Sequence, residues 1–162
     1  MEKPDNNFTE ILLGLGSNIE PRRQYLDDAI EKLGIIPDCE IVRKSSIRET
    51  APLGPGTHNY LNMAVLMNVM KISPEEFLKY IHNIENYLGR VRTVRWGDRT
   101  VDIDILFWGN AAIRSENLII PHPQLQYRKF VLDPLYEIVP YLIHPVLLKS
   151  VSELRSELYN ES

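Results

Sequence analysis

Residues Arg90 to Leu106 read RVRTVRWGDRTVDIDIL: four arginines within ten residues, a tryptophan, then two aspartates spaced Asp-x-Asp in a run of branched apolar side chains. Val101, Ile103 and Ile105 alternate with Asp102 and Asp104 at the period of a strand, so both carboxylates leave one face about 6 to 7 Å apart. Two like charges placed side by side call for a cation. Mg²⁺ takes carboxylate oxygens and completes its shell with water and substrate phosphates, and the arginines upstream are suited to fork phosphate oxygens. The combination points to chemistry on a nucleoside triphosphate.

Upstream of this segment, Thr9 to Gly16 (TEILLGLG) reads as a first strand, and Ser17, Asn18 and Pro21 signal the start of a helix over Arg22 to Leu33. Cys39 to Ile47 is a second strand. Tyr60 to Val69 is a third, with Leu61, Met63, Val65, Met67 and Val69 on one face and Asn62, Ala64, Leu66 and Asn68 on the other. Between them Glu49 to Thr57 (ETAPLGPGT) is a shaped loop, too rich in proline and glycine for regular structure. Ser73, Pro74 and Glu76 form a capping box, and Phe77, Ile81, Ile84 and Leu88 follow at helical spacing, so a helix runs from Pro74 to about Leu88. Gly89 ends it, and the strand bearing Asp102 and Asp104 completes the order βαββαβ. That order predicts an α+β, ferredoxin-like sandwich: an antiparallel sheet with two helices on one face. The last third adds Leu118 to Pro123, a helical segment over Phe130 to Ile138, and a last helix over Ser152 to Tyr159 as C-terminal additions.

The chain has 162 residues, 44% hydrophobic and 25% charged, enough for one sizeable core, and residues 1–162 are read as a single domain. One cysteine, Cys39, excludes a disulfide framework and a cysteine-rich metal site. No stretch reads as a signal peptide or a membrane span, so a cytoplasmic protein is expected, with no membrane partner. A net charge of −4 argues against indiscriminate nucleic-acid binding and sets off the density of Arg90, Arg92, Arg95 and Arg99 as a local anion site. Nothing demands a protein partner, and a monomer is expected ahead of a dimer. GLGSN (Gly14 to Asn18) lacks the third glycine and the Lys-Ser/Thr of a phosphate loop, so it is read as a tight strand-to-helix turn lining the site wall.

Six segments in order, LGLGSN (Leu13 to Asn18), ETAPLG (Glu49 to Gly54), YLNMAV (Tyr60 to Val65), IENYLGRVR (Ile84 to Arg92), RWGDRTVDIDIL (Arg95 to Leu106) and PHPQLQYRKFVLDPL (Pro121 to Leu135), give the chain a resemblance to the 6-hydroxymethyl-7,8-dihydropterin pyrophosphokinases. The resemblance implies transfer of pyrophosphate from ATP to the hydroxymethyl group of the pterin, with release of AMP, on a ferredoxin-like fold using two Mg²⁺ ions. It implies that Asp102 and Asp104 hold the metals and that Arg90, Arg92 and Arg99 contact phosphate. Glu85, Ile105, His122 and Arg128 would join those arginines in binding ATP.

For the pterin, the resemblance implies contacts from Thr50, Ala51, Leu53, Tyr60, Asn62, Trp96 and Phe130. A flat bicyclic ring stacks well between aromatic faces such as Trp96 and Phe130, and an amide such as Asn62 can donate and accept along its polar edge. An RNA-binding module shares the βαββαβ order, but the aromatic pattern expected on its central strands is absent, and an Asp-x-Asp pair would repel phosphate without a metal. A metal-dependent nucleotidyltransferase or nuclease would also use the aspartate pair; AMP formation that depends on the pterin separates it from the pyrophosphokinase.

Overall fold

The computed structural model describes residues 7–52, 58–89 and 100–161. Leu53, Arg90, Arg92, Arg95, Trp96 and Arg99, all named above, lie outside the described residues. Strand β4 (Tyr60–Met70) is the spine of the fold. It pairs antiparallel with β1 (Phe8–Ser17) on one side and with β2 (Cys39–Lys44) and β3 (Arg48–Thr50) on the other, and β1 pairs antiparallel with β5 (Asp102–Trp108). The sheet order is β2-β4-β1-β5, with β3 beside the start of β4.

The alternation predicted for β4 holds, and both of its faces are covered. Met63, Val65, Met67 and Val69 enter one core with Leu26, Ala29 and Leu33 of α1 (Arg22–Gly34) and Phe77, Ile81 and Ile84 of α2 (Pro74–Tyr87). Ala64 and Leu66 enter a second core on the opposite face, with Leu132, Leu135 and Ile138 of α3 (Lys129–Ile138) and Val151 and Leu154 of α4 (Val151–Asn160). The C-terminal additions therefore close the face that α1 and α2 leave open. A short hairpin, β6 (Ile113–Arg114) with β7 (Ile119–Ile120), follows β5.

Two local expectations change. The predicted second strand ends at Lys44 rather than Ile47, because the Ser45 side chain takes over part of the ladder. Its backbone N–H donates to Ala64 O at 2.9 Å while its hydroxyl, not its carbonyl, accepts the Ala64 N–H at 2.8 Å. The chain then starts again as β3. At α2, Ser73 Oγ accepts from the Glu76 N–H at 3.2 Å, the forward half of the expected cap. A complete capping box stands instead at α4, where Ser150 and Glu153 bond reciprocally at 3.0 and 3.1 Å.

In β5 the register against β1 slips by one: Leu13 faces Ile105 and Leu12 faces Phe107, leaving Leu106 as an extra residue. Leu106 and Phe107 both enter the second core, while Trp108 returns to the first and meets Phe77 edge-on at 5.7 Å. Asp102 and Asp104 lie on the side away from Ile103 and Ile105, so the carboxylates share the α3–α4 side of the sheet.

Helix α3 is seated by its apolar face and oriented by polar contacts at its end. Glu137 accepts from the Ser46 N–H and hydroxyl at 2.6 Å and from Arg48 Nη2 at 3.0 Å, and Arg43 Nη1 donates to Ile138 O at 2.6 Å. The Arg48–Glu137 pair is partly exposed and worth no more than about 1 kcal/mol. Three buried aliphatic side chains, at roughly 1.5–3 kcal/mol each, dominate the docking.

His144 organises the turn between α3 and α4. Its Nδ1 accepts the N–H groups of Val146 and Leu147 at 3.2 and 3.0 Å, and its buried ring meets Phe107 edge-on at 5.7 Å. Burial pushes its pKa below the ordinary value of 6.5, so the folded state keeps the neutral ring. Below pH 6.5 the unfolded chain binds a proton that the folded chain refuses, so stability falls with pH until the folded pKa is reached, by at most about 1.4 kcal/mol per pH unit. His144→Asn keeps an acceptor and removes the titration. In urea unfolding at pH 7.5 and 5.5, the wild type should lose stability at the lower pH and the variant should lose less.

Candidate active site

The site is built on the α3–α4 side of the sheet, beyond the second core. In register, Asp102 faces Gly16, Gly16 faces Asn62 and Asn62 faces Arg48; one step along, Asp104 faces Gly14 and Gly14 faces Ala64. The aspartate pair and Asn62 are thus separated by one strand that carries no side chains at either position. The first strand expected over Thr9 to Gly16 runs on to Ser17, so Gly14 and Gly16 lie inside β1 rather than in the tight turn read for GLGSN.

Strand β5 is an edge strand, and a cleft of about 580 Å³ runs beside it. One wall is α2, with Leu78, His82 and Glu85; the other includes Glu116 to Ile119, His122 and Arg128, and Asp102 to Ile105 form the floor. Glu85, 4% exposed, accepts the Ile103 N–H at 3.0 Å. A carboxylate thus covers the backbone that an edge strand would otherwise leave unpaired, and it anchors the strand between the two aspartates. Asp102 is half-buried and Asp104 exposed.

The His122 backbone N–H donates to Leu106 O at 3.0 Å, which brings the imidazole beside the aspartates. Its Nδ1 accepts the Gln124 N–H at 3.2 Å, leaving Nε2 as the donor of a neutral ring. Burial pushes its pKa below 6.5; Asp104 pulls it up and Arg128 pushes it down. Arg128 stands at the N-cap of α3, with its guanidinium 5.7 Å from the centre of the half-buried Phe130 ring. Glu85, Ile105, His122 and Arg128, four of the expected nucleotide contacts, therefore gather in the cleft with both aspartates.

Of the expected pterin contacts, Thr50, Tyr60 and Asn62 gather across the glycine strip. Tyr60 faces Thr50 in register, and the buried Asn62 donates through Nδ2 to Thr50 Oγ1. Ala51 is exposed just past β3. Several further residues were not singled out for the site by sequence. Asn18, 1% exposed, donates to His58 O at 3.3 Å, and Arg22 Nη1 donates to Asn59 O at 3.0 Å while lying 3.4 Å from Glu49 Oε1. Together they tie Glu49 of β3 and the residues leading into β4 to the segment that starts α1. A polar residue directly after the LGLGS strand was the available signal.

Asp102 and Asp104 offer oxygen donors alone, and among the described residues no cluster of three or more His, Cys, Asp or Glu forms a metal cage. Two carboxylates with the remaining positions open fit Mg²⁺, which retains water and substrate oxygens, better than a closed structural metal.

A family model described as 7,8-dihydro-6-hydroxymethylpterin-pyrophosphokinase matches residues 12–140. The 2-amino-4-hydroxy-6-hydroxymethyldihydropteridine pyrophosphokinase of Bacillus subtilis (strain 168) is 45% identical over 134 residues, 82% of this chain and 78% of the relative. The protein of the same name from Synechocystis is 40% identical over 143 residues, 88% of this chain and 73% of the relative. The HPPK-DHPS of Plasmodium falciparum, in a crystal structure with pteroate, shares the fold with a TM-score of 0.77 at 15% identity, covering 99% of this chain and 44% of that longer one. With a family model spanning most of its length and relatives of this similarity, the chain belongs to the 7,8-dihydro-6-hydroxymethylpterin-pyrophosphokinase family.

Proposed function

We propose that the chain transfers the β,γ-pyrophosphoryl group of ATP to the hydroxymethyl oxygen of 6-hydroxymethyl-7,8-dihydropterin, releasing AMP, as a step of tetrahydrofolate biosynthesis. The observation that carries the reading is the row Asp102–Gly16–Asn62: a metal-suited carboxylate and a fixed amide on one face, two strands apart. The strand order, with α1 and α2 on one face, supports a ferredoxin-like arrangement, and residues 1–162 are read as one pyrophosphokinase domain.

Asp102 and Asp104 are assigned to Mg²⁺, two ions being the proposed number. When bound, Mg²⁺ neutralises triphosphate charge and draws electrons from the phosphorus under attack. The hydroxymethyl oxygen bonds to the β-phosphorus, the bond from that phosphorus to the oxygen of the α-phosphate breaks, and the hydroxyl proton passes to water. AMP departs with the bridging oxygen. His122 Nε2 donates to a phosphate oxygen as a neutral group, and Arg128 supplies a fixed positive charge from the start of α3. Arg90, Arg92 and Arg99 are assigned to the phosphates on their sequence match. Thr50, Ala51, Leu53, Tyr60, Asn62, Trp96 and Phe130 are assigned to the pterin, the first five around its polar edge and the two aromatic rings on its faces.

Among the described residues no helix is long and apolar enough to cross a membrane. We read the chain as a cytoplasmic monomer that takes two small-molecule substrates and no nucleic acid.

AMP release from ATP and Mg²⁺, measured with and without 6-hydroxymethyl-7,8-dihydropterin, tests the reaction. AMP should form only with the pterin, and equal formation without it would mark a nucleotidyltransferase or hydrolase instead. Asp104→Ala should lower kcat by about 10²-fold or more while the thermal transition stays in place. Arg128→Ala should raise KM for ATP by roughly tenfold and leave KM for the pterin nearly unchanged, which separate substrate titrations would read.

A further inference from the structure

Gly16 lies in strand β1 with no left-handed backbone angle, so its conformation does not call for glycine. The space does. A Cβ built at Gly16 would stand 2.9 Å from Asn62 Oδ1 and 3.4 Å from Tyr60 Cδ1, closer to the oxygen than side-chain carbons approach. The Asn62 carboxamide thus fills the slot that a side chain at position 16 would occupy. Its other end is held by Thr50 Oγ1, and the residue is 6% exposed, so the group has little room to swing aside. Gly14 is different: a Cβ there meets Leu106 Cδ1 at 3.3 Å, the end of a flexible apolar side chain in the second core.

We infer that Gly16 is a positioning residue for pterin recognition: by lacking a side chain it sets the orientation of the Asn62 carboxamide, and through that the hydrogen bonds offered to the polar edge of the ring. The inference rests on the assignment of Thr50, Tyr60 and Asn62 to the pterin. The placement of Gly16 gives it a second consequence. It sits between Asn62 and Asp102 in the sheet, and two strand spacings of about 4.8 Å put those residues roughly 10 Å apart. That span is comparable to the long axis of a fused bicyclic ring with its one-carbon arm.

The role predicts a cost confined to one substrate and transmitted by one neighbour. In Gly16→Ala, KM for the pterin should rise by about tenfold or more, while KM for ATP and kcat at saturating pterin stay within about twofold. The ¹⁵N side-chain amide signals of Asn62 should shift in the substrate-free protein. In an Asn62→Ala background the slot is empty, and adding Gly16→Ala should change KM for the pterin by less than about twofold. Gly14→Ala should leave KM for the pterin unchanged. An unchanged pterin KM in Gly16→Ala, or an equal loss in the Asn62→Ala background, overturns the inference. Should Gly16→Ala alone fail to fold, the double variant carries the test: folding with the pterin KM of Asn62→Ala supports the inference, and anything else refutes it. A wild-type chain without pterin-dependent AMP formation overturns the functional assignment itself, together with the inference drawn from it.

Discussion

Strand β1 is hydrogen-bonded along both edges, to β4 and to β5, and this double pairing fixes nearly everything else. A strand held on both sides has one freedom left, the choice of side chain on each face. On the α1–α2 face, Ile11, Leu13 and Leu15 fill the first core. On the other face Leu12 fills the second core, and then, towards the end of the strand, Gly14 and Gly16 withdraw. The core stops where the side chains stop, and the site begins there. Because the strand register places Asp102 and Asp104 against these glycines, the neighbouring strand sets no side chain of its own beside the carboxylates.

The electrostatics follow from that edge. Two carboxylates on a central strand would be buried without counter-charge, at a cost of several kcal/mol for each ion. On the edge strand β5 they line an open cleft, while Glu85 from α2 satisfies the backbone between them. His122 arrives on the chain that follows β7, and Arg128 arrives at the start of α3. That helix is fastened at its far end to β2 and to the chain leading into β3, so the element presenting Arg128 and Phe130 is also bonded next to the strand presenting Thr50.

Much of this was legible in the chain. The alternation in β4, the helical spacing after Ser73 and the Asp-x-Asp pair each report a local period, and local periods survive folding. The misreadings arose where the decisive contact was distant in sequence. Ser45 cut the second strand short because its hydroxyl meets Ala64, and no feature of residues 39–47 announces that. Gly14 and Gly16 were read both as the end of the first strand and as part of a GLGSN turn; only the pairing with Asn62 and Asp102 settles them inside the strand. The extra residue at Leu106 was likewise invisible, since DIDILFW reads as an unbroken strand. Asn18 and Arg22 were read as helix-start residues, and their reach to His58, Asn59 and Glu49 depends on how the loop returns.

The two glycines also set a limit on how far this protein can be made more robust. Glycine in a strand gives up roughly 0.5–1 kcal/mol relative to alanine through its greater freedom in the unfolded chain, and β-branched residues would favour the strand further. A redesign guided by strand propensity would therefore replace both glycines early, and at Gly14 only the flexible end of Leu106 stands in the way. At Gly16 a Cβ has no room while Asn62 keeps its place, so the gain from strand propensity is open only to a chain that gives up that amide.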